Sequence, residues 1–562
     1  MLKQHPKGLF VAFFANMGER FGFYTMIALF VLFLQAKYGY SAAEASQIYG
    51  TFLAFVYFLP LLGGFMADKF LGYGKTISIG LVVMFIGYFL LAIPTTMNSG
   101  FGLVVIALAV ICFGTGFFKG NLQALVGNLY DNPKYSKKRD VAFNIFYMGI
   151  NIGAMFAPTT AEAVNNWILK THNFVYDNRI PALAHKYVDG TLNNISEYLT
   201  IAQAQDPTVT IQTLGTFTTD YINALSQSYH YGFGVACISL IASMIIFWGF
   251  KKYYKSADLT EKQKAASDEH KDQIIKLTPK QTKDRLIALG LIFFIVIFFW
   301  MSFHQNGLCM TFFARDYTIN HVGKVTNLFF NLNGLLPIFL SIVGLYFFIR
   351  KKSDGKARII GACAFVGFAL LAYWSYTTYN AENPITPQIF QHFNPFFIVA
   401  LTPLIIGLFT WLAKKGKEPS APKKIGIGML ITALGFVVLV VGSLSLLGVS
   451  PKEISGEVAP TDRLISPYWL ISTYFILTVA ELFLSPMGIS FVSKVSPPKY
   501  KGLMQGGWLA ATAIGNYLII VPGSLWDRVP LWVVWSLLVL LCVLSATFVF
   551  SILKRLERAT TS

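Results

Sequence analysis

Apolar residues run along this chain in stretches too long and too continuous for the strict alternation of a half-buried strand or the one-sided stripe of a soluble helix. They recur at about 8–35, 47–67, 76–95, 102–129, 141–163, 228–250, 286–313, 325–349, 358–378, 392–413, 425–447, 467–493, 503–525 and 531–553. Each is long enough, as a helix, to cross the hydrocarbon core of a bilayer. The pattern predicts an all-α polytopic membrane protein of fourteen spans, with both termini on one side. Two polar interruptions stand out. Residues 164–227 form a long segment without an apolar span, read as a loop with room for a small helical cap. Residues 251–285 are charged and helix-compatible, as expected of a linker between two bundles.

Composition agrees, with 55% hydrophobic residues, 13% charged residues and 51 Phe among 562 positions. The formal charge of +18 suggests nucleic acid until the positions of the cations are counted. With both termini in the cytoplasm, 34 of the 45 Lys and Arg fall on the inside, nine fall outside, and Arg20 and Lys119 lie within spans. That asymmetry is the positive-inside rule, so the charge orients the chain in a membrane and implies no nucleic-acid partner. The first span is too long for a leader and lacks a small-residue cleavage site, so it is expected to be retained. The five cysteines lie within spans without metal-type spacing, which suggests neither a disulfide framework nor a metal site.

Ionisable side chains at bilayer depth are costly and usually face a water-filled path or a partner. Glu19 and Arg20 are adjacent in the first span, Lys119 lies in the fourth, and Glu481 precedes Ser485-Pro486 in the twelfth. Proline in a helix frees a backbone carbonyl, which is tolerated mainly beside a cavity. Trp300 and His304 are one turn apart on a common face, pairing a flat aromatic wall with a group that titrates near neutrality. Asn151 and Asn394 add amides, Asn394 opening a helix just before Pro395. Gly114-Thr115-Gly116 would let helices pack closely. A cation and an anion on opposite cavity walls suit a zwitterion a few ångströms long. Enzyme chemistry finds no support, since there is neither a GxSxG elbow nor an HExxH pair. A sensor would be expected to carry a signalling domain, and no soluble segment exceeds 164–227.

The exit of the second span, Gly63-Gly64-Phe65-Met66-Ala67-Asp68-Lys69, resembles the loop between helices two and three of the major facilitator superfamily, with Asp68 and Lys69 placed to hold the neighbouring bundle by charge. Further motifs make the resemblance more specific. Glu19-Arg20-Phe21 with Tyr24, Phe118-Lys119-Gly120-Asn121, Phe146 to Gly153, and Glu481 to Gly488 are similar, in order, to motifs of the proton-coupled oligopeptide transporter (POT) family. The likeness runs to about Leu518.

The resemblance implies a major facilitator fold of two six-helix bundles plus two extra transmembrane helices. The amino-terminal bundle falls at 1–250, the linker at 251–285 and the second bundle at 286–562, with the extra pair inserted at 325–378. It implies import of di- and tripeptides by proton-coupled alternating access, working as a monomer in the cell (inner) membrane, with protons as the coupling ion and no other cofactor. Lys119 matches the base that meets the peptide carboxylate and Glu481 the acid that meets its amine. Asn151 and Asn394 match backbone-binding amides, Tyr57, Trp300 and Trp508 match pocket walls, and Asn16 and Tyr24 line the same site. Glu19, Arg20, Lys119 and His304 would carry proton coupling. Four departures mark this chain. Asn16 stands in place of a glutamate, Phe23 of a tyrosine, Ile27 of a second peptide-binding arginine and His304 of the glutamate assigned to coupling. They keep open a carrier of another small polar or anionic solute, or an exporter, with altered or absent coupling.

Overall fold

The computed structural model describes residues 5–131, 134–135, 138–258, 278–350, 353–448, 463–497 and 500–561. Among these, fourteen helices are long and apolar enough to cross a membrane. The first six spans are built from α1 (Lys7–Tyr38), α2 (Ala42–Phe58) continued by α3 (Pro60–Met66), α4 (Tyr73–Ala92), α5 (Phe101–Leu129), α6 (Arg139–Thr171) and α9 (Leu214–Gly249), with α7 (Ile180–Val188) and α8 (Ile195–Gln205) as short helices before the last. The second set begins with α10 (Pro279–Phe303) and α11 (Cys309–Asp316). It continues through α12 (Lys324–Phe330), α13 (Leu332–Ile349), α14 (Gly355–Thr378), α15 (Phe393–Lys414), α16 (Ala421–Leu444), α17 (Tyr468–Val495), α18 (Lys501–Leu518), α19 (Ile520–Leu525), α20 (Leu531–Ser551) and α21 (Leu553–Thr561).

Local chemistry sets the helix ends. α1 stops at Gly39, whose φ of +67° is open to glycine at little cost. α2 starts on a capping box in which Ser41 and Glu44 each bond the other's backbone. Thr278 and Gln281 form the same device at α10, so that helix starts earlier than the expected 286.

Small residues then bring the spans together. Gly80 of α4 faces Gly114 of α5, where an added Cβ would stand 2.8 Å from the Gly114 carbonyl oxygen, and Gly63 of α3 lies against Gly116. The close packing anticipated from Gly114 and Gly116 is present. α1 packs on α6 and α9, α16 on α17 and α20, and α10 on α18, giving two helical bundles. α13 and α14 pair with each other through Gly344 and Gly361 and leave α14 with most of its surface exposed.

Several expected spans are broken. The one placed at 286–313 is interrupted by a 3-10 turn at His304–Gly307, and the one at 325–349 divides at Asn331, which is extended and caps α13 through its side chain. A 3-10 turn at Pro387–His392 precedes α15. By contrast, α17 continues through position 486, so the proline leaves the helix unbroken. The segment at 164–227 is much shorter as a loop than its composition suggested, because α6 runs to Thr171 and α9 begins at Leu214. The cap does form, as α7 and α8. Of the linker, 259–277 lies outside the described residues, and Lys251–Ala257 forms two 3-10 turns.

Candidate substrate and proton site

In α1, Glu19 and Arg20 are 0% and 3% exposed and form a two-pronged ion pair, Arg20 Nε to Glu19 Oε2 at 2.5 Å and Nη2 to Oε1 at 2.6 Å. Neighbours on a helix point about 100° apart, so both side chains bend to meet, and the Phe23 ring lies under the guanidinium at 4.7 Å. Both carboxylate oxygens are thereby engaged. Glu19 is thus paired with Arg20 and not with Lys119. Lys119 instead holds its Nζ 3.4 Å from the centroid of the Tyr57 ring. Asn16, 5% exposed, points an amide nitrogen that has no hydrogen-bond partner. Tyr24 and Tyr57 both lie within electrostatic reach of Arg20, Glu19 and Glu481, so these residues share one region.

The opposing wall comes from the second bundle. Asn394, in the first turn of α15, donates its side-chain amide to Glu481 Oε2 at 3.1 Å and to Thr478 Oγ1 at 3.0 Å. It is an orienting partner of the carboxylate, and only its oxygen is left for a ligand, unlike the free backbone-binding amide expected. At the end of α10, where helix gives way to the 3-10 turn, the His304 ring stacks on Trp300 at 5.1 Å and 19° and sits 6.0 Å from Tyr57. The Trp300 carbonyl and Asn516 are next to that ring, but neither makes a well-aligned hydrogen bond to Nδ1. Lys119, Tyr57, His304 and Trp300 thus form a stacked row that crosses from one bundle to the other.

Other expected residues stand elsewhere. Asn151 folds its amide onto the Tyr147 carbonyl of its own helix at 3.1 Å. Trp508, 6% exposed, is pressed against Gly488 of α17, where any Cβ would collide with the indole. It is a packing residue and not an open wall. Asp68 accepts from the Tyr73 hydroxyl at 2.6 Å and Lys69 lies 4.5 Å from the Phe65 ring, both within their own bundle. Among the described residues, the expected charge latch across the bundles is not formed there. Ile27 is 5% exposed and packs near Gly307, so the place of the second arginine is dry.

The structure also adds residues. Asn516, Gln388 and His392 are fully buried, with side-chain polar atoms that lack well-formed hydrogen bonds. Glu162 of α6 accepts from Thr386 Oγ1 at 2.6 Å, across the seam between bundles. A signal for Glu162 exists in the sequence, an acid inside the apolar run 141–163. The His392 signal is a polar step just ahead of Asn394.

A model of the POT family (PTR2) matches residues 74–271 and 377–531. A peptide transporter of Yersinia enterocolitica, YePEPT, is 26% identical over 91% of this chain and 86% of its own length. Dipeptide and tripeptide permease B of Salmonella typhimurium is 25% identical over 94% and 89%. A crystal structure of a peptide transporter POT in complex with sulfate superposes with a TM-score of 0.65 and 21% identity, covering 99% of this chain and 96% of that one. The shared fold is therefore that of these transporters, and with the family model matching more than half of the sequence, this chain belongs to the POT family.

Proposed function

We propose that the protein imports di- and tripeptides by proton-coupled alternating access. The observation that carries this is the division of charge between the two walls. Lys119 on the first bundle faces a ring with no carboxylate bound to it, and Glu481 on the second is held by Asn394 with its other oxygen unclaimed. A peptide's carboxylate and ammonium groups complement that pair, and only a ligand bearing both engages both walls. The names of the relatives, peptide transporter and dipeptide and tripeptide permease, support the same substrate class.

His304 takes the proton-carrying role. It stands between Trp300 and Tyr57 near Lys119, so a proton on its ring and the charge of Lys119 oppose each other. A peptide carboxylate arriving at Lys119 offsets the charge of Lys119 beside that ring. With the termini inside, the end holding the C-terminus of α1, where α2 packs on α18 and α19 and Ser46 abuts Gly523, is the outer one, so the outer seam is the closed one in this reading. The test is uptake of labelled dialanine into proteoliposomes under an inward proton gradient, with and without a protonophore. Concentrative, protonophore-sensitive uptake is expected, and no uptake by folded protein would overturn the reading. The dry Ile27 position favours a second reading, a carrier of a solute with one charged end, which unlabelled single-charge analogues would reveal by competing as well as dialanine.

A further inference from the structure

Away from the charged row, a cavity of about 360 Å³ lies in the seam between α6 and the inserted helices. α6 contributes Thr159 and Glu162, and the inserted region contributes Asn327, Asn331, Tyr379 and Asn383. Glu162 is the only carboxyl group among the lining residues, and no Lys, Arg or His is among them. Lys170 lines a neighbouring cavity that also includes Glu162. Thr386 occupies one oxygen of Glu162. Thr159 Oγ1 is buried without a hydrogen-bond partner.

We infer that this cavity is a second binding site, one for the ammonium group of a small amine, completed when the outer seam closes. One carboxylate surrounded by neutral carboxamides and hydroxyls complements a single positive charge with several N–H donors, and the rings of Phe330 and Tyr379 supply faces for it. A metal site is not supported, since the lining holds a single carboxyl group and, among the described residues, no three His, Cys, Asp or Glu side chains gather. An anion would meet Glu162 with no cation among the residues lining this cavity to offset it. The break of the predicted span at Asn331 is part of the construction, since it brings the α12–α13 junction to the cavity. Because α6 and the inserted helices lie on opposite sides of the seam, opening the outer end pulls the walls apart. For the identity of the natural ligand, the amino end of an incoming peptide, this inference rests on the transport reading.

Alaninamide separates the two sites, because it carries the ammonium group but no carboxylate for Lys119. Equilibrium dialysis of labelled alaninamide against the E481Q chain, which lacks the clamp's own ammonium-binding carboxylate, is expected to show saturable binding. Adding E162Q to that chain is expected to weaken it by about tenfold, the loss typical of removing a charge-assisted partner. N166W, which fills the cavity from the exposed face of α6, provides the same test with Glu162 intact. Binding within about twofold of the E481Q chain in both variants, or no saturable binding to the E481Q chain itself, would each overturn the proposal. If dialanine uptake fails while alaninamide binding follows this pattern, the transport reading falls and the site stands.

Discussion

Glu19 and Arg20 show how much a single residue's partner determines. A buried pair that loses one member leaves an uncompensated charge, at a cost of about 3–5 kcal/mol, whereas loss of both is far milder. E19Q and R20M should each lower the melting temperature strongly, and the double variant should recover much of the loss. Equal destabilisation by all three, read by thermal unfolding in detergent, would remove the pair as a structural tie. At the proposed clamp, K119A and E481Q should each reduce dialanine binding by at least about tenfold, since each removes a charge-assisted contact. Unchanged affinity in either would take that residue out of the clamp. H304Q keeps a polar ring-sized group without a titrating proton, so uptake should lose its dependence on external pH while dialanine binding persists. A pH profile like that of the wild type would return His304 to a packing role.

At the scale of elements, the cap is tied to the transmembrane helices at specific points. His185 of α7 donates from Nε2 to the Ala36 carbonyl at 2.8 Å, and its ring lies over Gly39, where α1 ends. Burial holds the His185 pKa below its ordinary 6.5, although the Ala36 hydrogen bond and Asp189 act in the opposite direction. The undocked cap therefore binds a proton more readily than the docked one, and docking weakens as pH falls below 6.5. Hydrogen exchange of α7, corrected for intrinsic rates, should accelerate between about pH 7.5 and about pH 5.5. H185Q should flatten that change, and an equal acceleration in H185Q would assign it to another group. The inserted pair shows the opposite economy. α14 exposes large apolar side chains such as Ile359, Ile360, Leu370 and Trp374, a surface suited to lipid.

Across the whole molecule, contacts between the bundles gather at the end that holds the C-terminus of α1. α2 packs on α18 and α19, α6 packs on α15 and the turn before it, and Ser46 abuts Gly523. Arg315 donates to Gln35 Oε1 at 2.5 Å while bonding Asp316, and its carbonyl accepts from Asn178 beside the cap at 2.6 Å. An ionic and amide cluster therefore replaces, at this end, the latch expected of Asp68 at the other. In a background without native cysteines, cross-linking Q35C to R315C with a short cleavable thiosulfonate should stop uptake, and reduction should restore it. Uptake that continues through the cross-link would show that this seam does not open during transport.

The sequence by itself determined the number of spans, the all-α class and the close-packed glycine faces. Bilayer thickness and backbone hydrogen bonding leave a long apolar run few alternatives, so these follow from local pattern. It also marked Glu19, Arg20, Lys119 and Glu481, because ionisable groups are conspicuous against an apolar background. Only the tertiary structure decided their partners. Glu19 was equally free, in one dimension, to meet Arg20 or Lys119, and Asn394 to meet a ligand or Glu481. The breaks at His304 and Asn331, the burial of Trp508 and the contact of Glu162 with Thr386 were likewise not legible. Each depends on a neighbour distant along the chain, and hydrophobic periodicity carries no information about which faces of different helices meet.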